Sequence, residues 1–164
     1  MSAAALLLAG VLAGQLDAAG VGRAVAAHRG RPVVLTLWAT WCDPCVKEFP
    51  SLAALARQRK DVAFISVSID EPEDRGTLEA FVAERRPPFP VYVRAAGPDQ
   101  AFIDGVDREW SGVVPVTLVY DREGRRAALL QGEHGRADVE KALAEAEKAR
   151  PRAKAETAAH GARF

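Results

Sequence analysis

The chain has 164 residues, enough for one domain, and its 49% hydrophobic and 27% charged residues match a soluble globular protein. Lys and Arg number 22, as do Asp and Glu, so the formal net charge is zero, which argues against a nucleic-acid binder. Two cysteines exclude a disulfide-framework miniprotein and a four-thiolate zinc or iron–sulfur site.

Residues 3–14 (AAALLLAGVLAG) are uninterrupted apolar and small residues, too short to span a bilayer. We read residues 1–15 as an export leader or membrane-anchor remnant; the competing reading is an apolar helix packed on the domain. A domain then spans 16–149. Asp17 is a helix N-cap, and Gly30 follows that helix. Pro32 precedes VVLTLW, a buried central strand over 33–38. After ATWCDPC, Phe49, Leu52 and Ala56 recur at helical spacing, and Pro50 should kink that helix. A second buried strand covers 62–69. Leu78, Phe81 and Val82 mark a helix over 77–86, stopped by Pro87-Pro88. A short strand over 89–93 and a helical turn or two over 98–104 follow. PVTLVY (115–120) is a third core strand, turning at Gly124 into a hairpin partner over 126–131. The last helix covers about 137–147, and 150–164 reads as a solvated basic tail. Alternating strands and helices predict an α/β fold with a central mixed sheet flanked by helices.

The chemistry concentrates at Cys42-Asp43-Pro44-Cys45. Two thiols three residues apart at a helix start can close a small disulfide ring. Unpaired N–H groups and the positive end of the helix dipole favour a thiolate at Cys42. Cys45, one turn in, is the more buried thiol and would resolve a mixed disulfide. Pro44 suits the first helical turn. Trp38 supplies an apolar floor and Trp41 an apolar rim. Zinc lacks further ligands, because His28, His134 and His160 stand at no finger spacing. Covalent haem would need a His where Val46 stands, and a peroxidatic P-x-x-x-T-x-x-C run meets Leu35 and Ala39 instead. A merely structural disulfide is the remaining competitor.

WATWCDPCVKEFPSL together with GVVPVTLVYDREG resembles the thioredoxin superfamily, and within it the TlpA/ResA-like thiol–disulfide oxidoreductases of bacteria. The resemblance implies a thioredoxin-like fold with an αβ insertion after the second core strand, at about 77–93. It implies a cis Val114–Pro115 bond facing the thiols, where Val114 and Pro115, with Trp41 and Pro44, would meet an extended client segment. It implies a redox-active cysteine pair with no cofactor. Protein disulfide clients and an upstream electron donor would be its partners. Export or membrane tethering for periplasmic reduction, including cytochrome c maturation, is implied too, with a cytoplasmic site as the alternative. Glu48 corresponds to a glutamate of that family that handles protons or tunes thiol pKa values.

Asp43 and Glu48 oppose thiolate formation, so we expect a reductant rather than a strong oxidant. A monomer is expected. Two alternatives stay open: a thioredoxin-like binding module with incidental thiols, and a peroxide-reducing redoxin. Asp70 and Glu71 read as solvated loop acids, and His28 and His134 as surface or helix-end residues.

Overall fold

The structure is a computed structural model and describes residues 10–148, so most of the apolar run and the basic tail lie outside the described residues. Strand β1 (Gln15–Leu16) leads to helix α1 (Ala18–Ala26), whose N-cap Asp17 accepts from Gly20 N–H at 2.7 Å. Then come β2 (Val33–Trp38), α2 (Asp43–Gln58) and β3 (Ala63–Ser68). A 3-10 turn leads into α3 (Arg75–Arg85), followed by β4 (Val91–Arg94) and α4 (Asp99–Val106). The chain closes with β5 (Val116–Tyr120), β6 (Arg126–Gln131) and α5 (Arg136–Lys148).

The six strands form one sheet in the order β1-β4-β3-β2-β5-β6. β2 runs parallel to β3, which runs parallel to β4; β5 is antiparallel to both β2 and β6. The α3–β4 pair is the insertion expected between the second and third core strands. β1 was not expected, because two residues carry no periodicity. It pairs in parallel with β4, and just before it Ala13 N–H donates to Val91 C=O at 2.8 Å.

Every residue of β2 is buried, and alternation divides them between two cores. Val34 and Trp38 face the layer of α2, α3 and α5, whereas Val33, Leu35 and Leu37 face that of α1 and α4. On the first face Trp38, Phe49 and Phe81 meet pairwise, with ring centroids 4.9–5.0 Å apart. Phe89 joins Phe49 at 5.6 Å. Trp38 Nε1–H finds Ser66 Oγ at 2.7 Å, which satisfies the one polar atom of that ring. Aromatic pairs of this kind add about 0.5–1.5 kcal/mol each beyond burial. Helix α2 is thereby fixed against both the sheet and the inserted α3. It continues across Pro50 without interruption.

Candidate functional site

Helix α2 begins at the thiols. Cys42 is its N-cap, in extended backbone, and the Cys42 Sγ accepts from Cys45 N–H at 3.3 Å. The two sulfurs are joined as a disulfide, with Cα atoms 5.2 Å apart. Pro44 occupies the first turn, where its missing N–H leaves no helix bond unmade. Cys42 is 6% exposed and Cys45 is 3% exposed, the order that the spacing predicts. Asp43 and Trp41 are exposed, Trp41 by 59%, so an apolar ring stands in solvent beside Cys42.

The loop from β2 into this helix is held from below by Asp70. Thr40 N–H lies 3.2 and 3.1 Å from its two carboxylate oxygens. The Thr40 hydroxyl donates to Oδ1 and the Ser68 hydroxyl to Oδ2. Asp70 is only 3% exposed, which corrects its reading as a solvated loop acid. The alternation of β3 ends before residue 70, so nothing in the pattern marks an inward acid there. Glu71 does stay exposed and pairs with Arg94 at 3.1 Å.

The second wall is the loop before β5. Its Val114–Pro115 bond is cis, as the resemblance implies. Trp110 Nε1–H donates to Val113 C=O at 2.8 Å, and Gln131 Oε1 accepts from Ser111 N–H at 2.8 Å. Gly132 N–H donates to Pro115 C=O at 2.9 Å from a backbone at φ 79°, a conformation that suits glycine. Pro115 is buried, Val114 and Pro44 are half-buried, and Val113 is exposed. Among the described residues no backbone group pairs with Val114.

Between the walls lies a small cleft lined by Cys45, Glu48, Pro115, Thr117 and His134, with Trp38 and Phe49 behind. About 20 Å³ is open to a water's centre, room for one molecule. Glu48 Oε1 accepts from His134 N–H at 2.8 Å, and Oε2 lies 3.8 Å from His134 Nε2. Burial pushes the Glu48 carboxyl above its usual pKa. The His134 N–H and the His134 charge pull it back, while Glu133 and Asp138 push it further up. His134 is not the surface residue its sequence context suggests: its side chain is 9% exposed. Nδ1 meets Gly132 C=O at 2.7 Å and Nε2 meets Thr117 Oγ1 at 2.8 Å. Gly132 and Gly135 mark a tight loop in GEHG, but no periodicity aims the imidazole inward. His28 lies at an exposed helix end, as expected, bonded to Arg31.

Among the described residues no group of three or more His, Cys, Asp or Glu side chains is placed to hold a metal ion. No helix there is long and apolar enough to cross a membrane.

The model of the AhpC/TSA family matches residues 14–127. The chain belongs to the AhpC/TSA family. It is 27% identical to the thiol-disulfide oxidoreductase ResA of Geobacillus thermodenitrificans over 118 residues, 71% of this chain and 63% of the relative. It is 28% identical to ResA of Bacillus subtilis over 104 residues, 63% of this chain and 55% of the relative. The chain thus spans less than two thirds of the length of these curated relatives. Among solved structures it is similar to a thiol:disulfide interchange protein of the thioredoxin family from Chlorobium tepidum. That match has a TM-score of 0.60 and 22% identity, covering 74% of this chain and 83% of the other. The fold is thioredoxin-like.

Two outcomes test this geometry. Asp70→Ala leaves the Thr40 N–H and two hydroxyls without their acceptor and should lower unfolding stability by about 1–3 kcal/mol in denaturant titrations. Glu48 has a pKa raised above that of the unfolded chain. Its contribution to stability is therefore complete at low pH and lost as pH rises through the folded-state pKa. Glu48→Gln cannot ionise, so its melting temperature should rise relative to wild type as pH increases; a gap that stays constant with pH contradicts this.

Proposed function

We propose that this protein is a thiol–disulfide oxidoreductase that reduces disulfides of client proteins. The observation that carries the reading is the Cys42–Cys45 pair, capping a helix beside a cis-proline loop with an unpaired backbone segment. In the reduced protein, the Cys42 thiolate attacks one sulfur of a client disulfide. A Cys42–client mixed disulfide forms, and the first client thiolate leaves and takes a proton. The Cys45 thiol passes its proton to the Glu48 carboxylate. The resulting thiolate attacks Cys42 Sγ, expels the second client thiolate and closes the Cys42–Cys45 disulfide. Two electrons have moved to the client, and an upstream dithiol donor restores them.

The client approaches along the exposed Trp41 ring and the Val114–Pro115 edge, where the free Val114 N–H and C=O support pairing with an extended segment. The helix start favours the Cys42 thiolate, which makes it the attacking sulfur. The carboxyls of Asp43 and Glu48 disfavour additional negative charge on the sulfurs, which supports a reducing couple. The apolar run at 3–14 supports a working place outside the cytoplasm, reached by export or a membrane tether.

Cys42→Ser should abolish turnover of a test disulfide such as insulin, whereas Cys45→Ser should accumulate a mixed disulfide visible by mass spectrometry. A binding module with incidental thiols would retain its partner in both variants, and full insulin turnover by Cys42→Ser would sink the assignment. Equilibration of the pair against glutathione should give a potential nearer the thioredoxin value of about −270 mV than the strongly oxidising value of about −120 mV.

A further inference from the structure

We propose that His134 is a positioning residue for Glu48, holding its carboxyl in the Cys45 cleft and favouring its ionised, proton-accepting form. This rests on the reading of Glu48 as the proton acceptor for Cys45.

His134 ties together three parts of the site. Its N–H holds Glu48 Oε1 on α2, its Nε2 meets Thr117 on β5, and its Nδ1 meets Gly132, whose own N–H holds the cis Pro115 carbonyl. The Gly132 carbonyl can only accept, so Nδ1 carries a proton in both the neutral and the cationic ring. The second proton can therefore reside only on Nε2, which faces Thr117 Oγ1 at 2.8 Å and Glu48 Oε2 at 3.8 Å. The Thr117 hydroxyl donates to a bare Nε2 and accepts from a protonated one, so neither state is left unpaired. A cationic ring at this distance stabilises the Glu48 carboxylate. The surrounding charge works against it: Glu133 and Asp138 are negative, and Arg136, which also lines the cleft, is engaged with Glu140 and Gln58. The cleft side chains from β2, β5 and the loop before β5, namely Thr36, Trp38, Thr117 and Pro115, are uncharged. A doubly protonated His134 ring would thus offset the two acids at this half-buried carboxyl.

The test compares His134→Phe, which removes the charge and both ring hydrogen bonds, with His134→Gln, which keeps amide groups for Gly132 and Thr117 but carries no charge. The infrared band of the protonated Glu48 carboxyl, identified by its loss in Glu48→Gln, is followed against pH in the oxidised protein. Release of glutathione from its mixed disulfide with Cys42 is timed across the same pH range. Both variants should shift the Glu48 titration upward. Both should slow release several-fold below the wild-type midpoint, with rates converging at high pH. A wild-type midpoint in both variants, or its restoration by His134→Gln, overturns the proposal. Wild-type release by Glu48→Gln would instead remove the base role of Glu48, while the infrared titration still decides whether His134 governs that carboxyl.

Discussion

The first turn of α2 is the constraint on which the site depends. A helix start leaves backbone N–H groups without partners, and a Ser, Asp or Asn normally satisfies one of them. Here the capping position holds a sulfur, a weak acceptor, with its Sγ 3.3 Å from the Cys45 N–H. The helix end is therefore undersatisfied while the sulfurs are bonded to each other. A thiolate at Cys42 is a charged and much better acceptor for the same amide, and the dipole adds about 0.3–1 kcal/mol in its favour. The helix start thus favours a thiolate at this position, in opposition to the Asp43 and Glu48 carboxyls, which disfavour charge on the sulfurs. That works only if the turn does not move. Asp70 clamps the loop entering it, and the Trp38–Phe49–Phe81 cluster fixes the helix beneath it.

The two inward carboxyls show how environment separates the roles of similar groups. Asp70 is surrounded by donors: one amide and two hydroxyls converge on its oxygens. Its interactions are spent on holding backbone. Glu48 has one amide donor and a second oxygen near an imidazole. It is neither fully hydrated nor fully paired, and burial drives its carboxyl toward the neutral form. In the proposed reaction Glu48 is the carboxyl that exchanges a proton, whereas Asp70, saturated with donors, serves as a fastener.

Much of this was legible in the sequence. The β2, β3 and β5 runs were readable because buried strands are continuous apolar stretches, and α2 because its apolar residues recur at helical steps. The thiols were readable because their chemistry is local to a few adjacent residues, whereas the cis Val114–Pro115 bond was expected from the family resemblance alone. Gly124 announced its turn, and it has φ 81°. The illegible parts share one cause: they depend on residues distant in sequence. Asp70 is buried because Thr40, thirty positions away, presents its amide. His134 turns inward because Glu48 and Thr117 meet it from two other elements. β1 exists only because β4 offers an edge. Single-residue polar environments of this kind leave no period, so the pattern read them as surface.

The two sulfurs, three residues apart, sit in different electrostatic surroundings, and this orders the proposed reaction. Cys42 faces the open helix end, where amides and an exposed Trp41 meet an incoming partner. Cys45 lies behind it in a cleft with room for about one water, among Glu48, Pro115 and His134. A charge on Cys42 is stabilised by backbone that is always present. A charge on Cys45 must form near a carboxyl, which it repels unless that carboxyl takes the proton that Cys45 gives up. Attack by Cys42 is thus available at once, while attack by Cys45 waits on a proton transfer within the cleft. The same short spacing that permits the disulfide therefore also separates first attack from release, because one residue caps the helix and the other faces its interior side.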